Sequence, residues 1–487
     1  MGSIDVVLEY FDNTDARVIC EPSIAQELSE FFTFEVPGAQ FSPHYRNKYW
    51  DGKIRLFNLK KFTIYAGLVS HVVEFCKLSG YTYDNKTKYI GTDVVKPDFI
   101  NTLDLPKAIE TRDYQKVAFA YAMTKKRTVI ISPTASGKSL MIYTMARYLL
   151  SQGKQQGLLI VPTISLVEQM AGDFKSYGWD VEKNCQKIYQ GQEKAPIAPL
   201  VISTWQSIYD MPKKYFAQFD FVIGDEAHTF KAKSLTSIMT NLIHCDYRIG
   251  TTGTLDGTKV NKLVLEGLFG PSKKIVSTKE LIDQKFLSKF KIECLVLKYP
   301  EAVCKEIKGS TYPEEMDFLV GNEARNNFIC NLAGGLQGNT LILYTYVDKH
   351  GKVIFDLLQQ KKYNRKMFFV CGDTDVMDRE DVRHITEKEN DAIIVASYGT
   401  FSTGINIRNL HNIIFASPTK SRVRSLQSIG RGLRLGDNKE EAVLYDIADD
   451  LRYKTYTNFT LNHYEERVKM YIEERFPFKT HNIGITQ

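Results

Sequence analysis

Apolar residues along the 487-residue chain fall into three successive patterns. Up to about residue 105, short strand-like runs (6–10, 54–57) alternate with two stretches of helical period, 23–32 and 68–78. A passage rich in Asp, Pro and Thr, 92–106, then marks a boundary. From Arg112 the runs at 127–132, 157–161, 200–203 and 219–223 are short, apolar or β-branched, and separated by helical intervals. Strands of a parallel sheet buried on both faces read this way. A less regular connector, about 276–323, interrupts the alternation, which resumes at 340–344, 366–371, 391–397, 412–416 and 442–445. Beyond residue 451, Leu461, Tyr464, Val468, Tyr471, Ile472 and Phe476 recur at helical spacing and predict a docked amphipathic helix. The expected fold is α/β. It comprises an N-terminal α+β module (1–105), a parallel-sheet domain (106–278), a connector with a second such domain (279–450) and a C-terminal helical tail (451–487).

Composition changes this picture little. With 43% hydrophobic and 25% charged residues and a mean hydropathy of -0.25, the chain reads as globular, and no run approaches the ~20 apolar residues that span a bilayer. The first residues show neither a basic leader nor an apolar core, and the eight cysteines lack metal-type spacing. A cytoplasmic protein with reduced thiols and no membrane partner is therefore expected. The net charge of +6 is uninformative as a total, but its distribution is not. Residues 1–40 carry eight acids and one base. Residues 41–61 carry six bases (Arg46, Lys48, Lys53, Arg55, Lys60, Lys61) against Asp51, with Tyr45, Tyr49, Trp50 and Phe57 interleaved. Bases that track phosphates and aromatic faces that stack on exposed bases together suit single-stranded or junction DNA. The alternation Lys53-Ile54-Arg55-Leu56 after Asp51-Gly52 equally fits a hairpin with a half-buried aromatic side. Both readings stand on the sequence.

Candidate chemistry lies elsewhere. Ser132-Pro133-Thr134-Ala135-Ser136-Gly137-Lys138-Ser139 sits between an apolar strand and a helical run. Such a strand, loop and helix aims backbone N–H groups at phosphates; Lys138 would reach the β and γ phosphates of ATP and Ser139 would hold Mg2+. Ser132 replaces the first glycine of the general motif. Far downstream, a second apolar run ends in Asp225-Glu226-Ala227-His228. Asp225 is placed to hold the metal through water, and Glu226 to polarise the attacking water. A third element, Gln427-Ser428-Ile429-Gly430-Arg431-Gly432-Leu433-Arg434, puts two arginines three apart on an expected helical face, suited to act on phosphate from the second domain.

In this order the elements resemble the superfamily-two helicases of the DEAH-type spelling. The match extends through Arg112-Asp113-Tyr114-Gln115, Pro162-Thr163, Ser203-Thr204-Trp205-Gln206-Ser207, Thr251-Thr252-Gly253-Thr254, Tyr344-Thr345 and Ser397-Tyr398-Gly399-Thr400-Phe401-Ser402-Thr403-Gly404-Ile405-Asn406. The resemblance implies two RecA-like domains with ATP between them. It assigns adenine reading to Arg112 and Gln115, further nucleotide contacts to Gly404 and Gln427, and strand-backbone contacts to Thr204 and Thr400. His228 and Thr251–Thr254 would couple the metal site to the rest of the motor. The segment Asn47-Lys48-Tyr49-Trp50-Asp51-Gly52-Lys53-Ile54-Arg55-Leu56, with the phosphate loop and the run from Ser397, is also similar to the bacteriophage UvsW helicases. That likeness implies remodelling of forks, Holliday junctions and RNA–DNA hybrids in recombination and repair. An RNA helicase or a restriction-system motor would share the same engine. Ala135, Ser136 and Gly224 depart from the commoner spelling without removing a catalytic group.

Overall fold

The computed structural model describes residues 4–485 except 90, 92, 93, 231, 375, 405, 406, 408, 437 and 438, and except the side chains of 376–380 and 402–404. Thr92 and Asp93 of the expected boundary, and Ile405 and Asn406 of the run from Ser397, thus lie outside the described residues. Spatial proximity divides the chain into two units. One joins Met1–Ser132 to Gly137–Ile275; the other joins Val276–Gln487 to the four residues Pro133–Ser136.

In the first unit, strands β1 (Val6–Tyr10), β2 (Asp15–Cys20), β3 (Thr33–Glu35), β4 (Lys53–Arg55), β5 (Phe57–Asn58), β6 (Thr63–Tyr65) and β7 (Tyr83–Asn85) build the N-terminal module with the helices Pro22–Phe31 and Val69–Ser79. Five of these strands form a sheet in the order β5-β6-β2-β1-β7, and β3 and β4 pair as a separate antiparallel ribbon. Strand alternation decides the buried face: Val6 and Leu8 of β1 and Ala16 and Val18 of β2 point into the core, and the residues between them point out.

Seven further strands follow: β8 (Arg127–Ile131), β9 (Gly157–Val161), β10 (Cys185–Ile188), β11 (Leu200–Thr204), β12 (Phe221–Asp225), β13 (Tyr247–Thr252) and β14 (Ser272–Lys274). They form an all-parallel sheet in the order β10-β11-β9-β12-β13-β8-β14. β9, β11 and β12 are buried along their whole length, which explains their unbroken apolar spelling. The short edge strands β10 and β14, and β13 with its arginine and threonines, do not stand out in the sequence pattern.

One face of this sheet packs on the helices Asp113–Lys125, Lys138–Ser151 and Ile164–Ser176. The other shares a continuous core with the N-terminal module, in which Val6, Val72 and Phe75 join Val129, Val222 and Phe269. Polar contacts reinforce the seam: Arg127 of β8 and Arg248 of β13 each donate through Nη1 to the carbonyl of Asn13, both at 2.7 Å. Backbones approach so closely at Gly67 that a Cβ there would lie 1.9 Å from the Glu266 carbonyl oxygen. The module is therefore packed onto the first sheet rather than strung beside it.

The second unit repeats the architecture with β15 (Lys289–Lys298), β16 (Thr340–Tyr344), β17 (Met367–Val370), β18 (Ile393–Ser397), β19 (Asn412–Phe415), β20 (Glu441–Asp450) and β21 (Phe478–Gly484). Their order is β17-β18-β16-β19-β20-β15-β21, again all parallel. Two elements differ from the sequence reading. The connector holds β15, a ten-residue strand whose neighbours β20 and β21 come from much later in the chain. The tail holds the helix Phe459–Glu473 and also β21. Ile472 on that helix faces solvent, although its spacing suggested burial.

Buried charge anchors the tail helix. Arg467 donates through Nε and Nη2 to both oxygens of Asp446 on β20 (2.8–3.1 Å) and through Nη1 to the Thr419 carbonyl at 2.8 Å; Tyr471 donates to the same carboxylate at 2.8 Å. Arg467→Met would leave Asp446 buried with one neutral donor. It is expected to lower stability by about 3–5 kcal/mol, read as an earlier urea-unfolding transition in the full chain. An unchanged midpoint would refute the anchoring role. Among the described residues no helix is long and apolar enough to cross a membrane.

Candidate active site and nucleic-acid surface

The phosphate loop begins where β8 ends. Ser132 and Ser136 are fully buried, and Ala135 (φ +66°) and Gly137 (φ +78°) adopt left-handed conformations that fold the loop over the start of helix Lys138–Ser151. Glycine is required at 137 for a second reason: a Cβ there would lie 2.3 Å from Nε2 of Gln115. Gln115, buried in the first turn of helix Asp113–Lys125, accepts the Arg112 backbone N–H on Oε1 at 2.9 Å. Its amide thus rests on the loop, while the Arg112 guanidinium donates to the Tyr114 hydroxyl at 2.7 Å. Pro133 and Thr134 complete the loop ahead of Ala135. The first-turn N–H groups of helix Lys138–Ser151 face the loop end, as an anion cradle needs. Ser139 Oγ lies 2.9 Å from the hydroxyl of Tyr177, whose phenol burial pushes up to about 12, so Tyr177 stays protonated and fixes the serine. Tyr177 carries no motif signal and was not legible as a site residue.

The acidic pair stands at the carboxyl end of β12. Register places Asp225 opposite Thr251 of β13, and Thr251 donates its hydroxyl hydrogen to Asp225 Oδ1 at 2.8 Å. Asp225 is buried, and its pKa is raised, first by that burial and then by the charge of Glu226; the ammonium of Lys138 and the Thr251 hydrogen bond oppose the rise. Lys138, Asp225 and Glu226 therefore occupy one electrostatic neighbourhood. Glu226 holds a left-handed backbone (φ +49°, ψ +50°), unusual for a residue other than glycine and a local strain beside the acidic pair. Its Oε2 lies 3.3 Å from Nδ1 of His228, which is 2.9 Å from the Thr252 hydroxyl. Thr252 spends its own hydrogen on the Thr254 carbonyl at 3.0 Å, so His228 carries its proton on Nδ1 and donates. The run from Thr251 to Thr254 is thus wired to both acids, Thr251 directly and Thr252 through His228. Gly224 has a steric cause: a Cβ would meet Phe230 at 2.6 Å and Phe269 at 2.9 Å, rings that fill the space a branched residue would take.

In the second unit, helix Arg422–Gly432 carries Gln427 and, one turn later, Arg431, whose guanidinium lies 5.9 Å from the centre of the Phe401 ring. Arg434 follows the helix end, so the two arginines do not share one helical face; Gly432 ends the helix early and a turn carries the second arginine. Gly404 closes the helix Tyr398–Gly404. Thr400 there is buried, with its hydroxyl 2.8 Å from Ser397 Oγ. Thr204 of the first unit is likewise buried, 2.8 Å from Ser207 Oγ. Each occupies the carboxyl end of its sheet, but both hydroxyls are turned into local bonds rather than out to a strand.

The basic and aromatic segment forms the ribbon β3–β4 and the residues joining its strands, including the short helix Pro43–Arg46. The sequence treats its residues alike, and the structure sorts them. Tyr49 is 82% exposed and Phe41 72%, with Lys48 and Lys53 exposed beside them. Trp50 turns back, donating Nε1–H to the Lys53 carbonyl at 2.9 Å. Arg46 donates to the Phe41 carbonyl at 2.8 Å, and Arg55 grips Asp51 through two nitrogens at 3.3 and 2.5 Å. Phe57 is core. Phe41, at the edge of the basic run, is the exposed aromatic that sequence reasoning passed over.

Three family models match: "DNA helicase UvsW, N-terminal" over residues 5–84, "Type III restriction enzyme, res subunit" over 108–257, and "Helicase conserved C-terminal domain" over 324–436. The DNA 3'-5' translocase XPB2 of Sulfurisphaera tokodaii is 27% identical over 391 residues, 72% of this chain and 85% of that protein. The ATP-dependent DNA helicase uvsW of Enterobacteria phage T4 is 34% identical over 506 residues, 99% of this chain and all of that protein. The crystal structure of T4 UvsW superposes with a TM-score of 0.53 at 32% identity, covering 99% of this chain and 100% of that one. With the phosphate loop, the acidic pair and the arginine helix in place along a chain matched from end to end, the protein belongs to the family of UvsW ATP-dependent DNA helicases.

Proposed function

We propose that the protein is an ATP-dependent DNA helicase and translocase that unwinds or remodels branched DNA, including forks, Holliday junctions and R-loops, in recombination, repair and replication control. The observation that carries this reading is the convergence of Lys138, Asp225 and Glu226 in one unit of a chain related along its length to a DNA helicase. ATP is the fuel. Pro133–Gly137 and Lys138 hold its phosphates, and Arg112 and Gln115 contact its base. The Ser139 hydroxyl and the Asp225 carboxylate are hard oxygen donors that fit Mg2+, which when bound neutralises charge on the β and γ phosphates. Glu226 orients the attacking water and takes its proton. Arg431 and Arg434 stabilise the charge that develops on the transferred phosphate, with Gln427 and Gly404 beside the nucleotide. Thr204 and Thr400 act on the strand through the backbone they brace. The protein works in the cytoplasm, that of the host if phage-encoded.

Phe41 and Tyr49, with Lys48 and Lys53, form the surface that recognises unpaired bases at a junction. Replacing Phe41 and Tyr49 by alanine is expected to weaken forked-DNA binding by about 30-fold or more, given ~1–3 kcal/mol for each of two stacked bases. The salt dependence should stay the same, because no phosphate contact is lost. Replacing Lys48 and Lys53 should instead flatten the salt slope by about two. Unchanged affinity in the aromatic double variant would refute the surface. Strand displacement across forks, Holliday junctions, R-loops and duplex RNA, with and without ATP, tests the activity as a whole; preference for RNA would overturn the DNA assignment.

A further inference from the structure

The mechanism just proposed does not use the buried ammonium of Lys439. Lys439, 6% exposed, follows the arginine helix and reaches back to its end. Its ammonium donates to the carbonyls of Gly432 and, at 3.0 Å, of Arg434. Ser288, just ahead of β15, completes the grip: its N–H donates to the Leu433 carbonyl at 2.9 Å and its hydroxyl to the Arg434 carbonyl at 3.2 Å. Three successive carbonyls, that of the last helical residue and the two that follow it, are thus held by two residues from outside the helix. An ammonium at a helix C-terminus is favourably placed against the helix dipole. Among the described residues no carboxylate lies within ion-pair distance of it, and burial alone pushes its pKa down to about 7. An uncharged cap would satisfy the same carbonyls without burying a charge, so a role beyond capping is called for. The segment it grips is the one that bears Arg431 and Arg434.

We propose that Lys439 is a positioning residue for phosphate chemistry. By clamping the turn after helix Arg422–Gly432 it fixes the directions of Arg431 and Arg434. The inference rests on the proposed role of the two arginines. It extends that role to a residue that touches neither nucleotide nor DNA.

A double-mutant cycle in the full-length protein tests it. Lys439→Met is expected to lower DNA-stimulated kcat for ATP hydrolysis about 10- to 100-fold with KM for ATP within about threefold, because the clamp acts on turnover rather than on the phosphate loop. In an Arg431→Ala, Arg434→Ala background the same substitution should have no further effect on residual turnover, since the clamp acts through those two arginines. Lys439→Gln, which keeps an N–H donor for one of the carbonyls, should fall between. If Lys439→Met is poorly folded by circular dichroism, Lys439→Gln carries the cycle. A kcat within twofold of the parent, or losses that multiply independently of the two arginines, would overturn the proposal. Should Arg431→Ala itself retain full turnover, the reading of the arginines fails instead, and the two failures are distinguishable.

Discussion

Replacing Glu226 by glutamine is expected to leave ATP binding within about threefold and to reduce ATP hydrolysis by ~10²–10⁴, the usual contribution of a positioned general base. The substitution keeps size and one acceptor oxygen but removes the charge that attracts a proton from water. It leaves Asp225, the proposed metal ligand, with its carboxylate. The charge of Glu226 is one of the influences that raise the pKa of Asp225, so its removal shifts Asp225 toward the ionised form at neutral pH. The loss therefore reports on water activation and not on metal affinity. Binding is read with a fluorescent ATP analogue and turnover with forked DNA present. Hydrolysis near the parent rate would reject Glu226 as the base and return attention to Asp225.

Arg431→Ala should be still more damaging, by about 10³–10⁵ in DNA-stimulated turnover, the range over which arginine fingers act in other NTPases. Arg431→Lys should not rescue it. Lysine presents a point charge, whereas the planar guanidinium, which lies over the Phe401 ring at 5.9 Å from its centre, can donate in a fork to phosphate oxygens. Nucleotide affinity in the absence of DNA should change little, because Lys138 and the first turn of helix Lys138–Ser151 lie in the other unit. Recovery of more than a tenth of the activity by lysine would reduce the arginine to a simple counter-charge.

Much of this site is legible in the sequence because its parts are local. A phosphate loop is a strand, a turn and a helix start within a dozen residues, and its glycine and lysine identify it wherever the sheet goes. The acidic pair announces itself as the polar end of an apolar strand. Long-range partners are not legible. Thr251 meets Asp225 only because β13 lies beside β12 in register, and Tyr177 meets Ser139 from a separate helix end. The arginine pair was readable as residue types but not as geometry, since a helix that stops at Gly432 separates two side chains that an ideal helix would align.

The N-terminal segment shows the same division. Its charge pattern, bases interleaved with aromatics, is a property of the chain alone and points to nucleic acid. Which members can meet a ligand depends on packing: Trp50 and Phe57 turn inward, Asp51 occupies Arg55, and Phe41 and Tyr49 remain outward.

By itself, the sequence determined the α/β architecture, the two repeated sheets and the motor chemistry. Each of these follows from local periodicity or from short motifs whose atoms are covalently close. Tertiary structure alone decided that residues 289–298 and 478–484 are strands, that the N-terminal module shares its core with the first sheet, and that Lys439 caps the arginine helix. The physical reason is common to all three. A strand edge, a buried face or an orphan carbonyl is satisfied by whichever partner folding brings to it, and that partner lies outside any window of sequence in which the need can be seen.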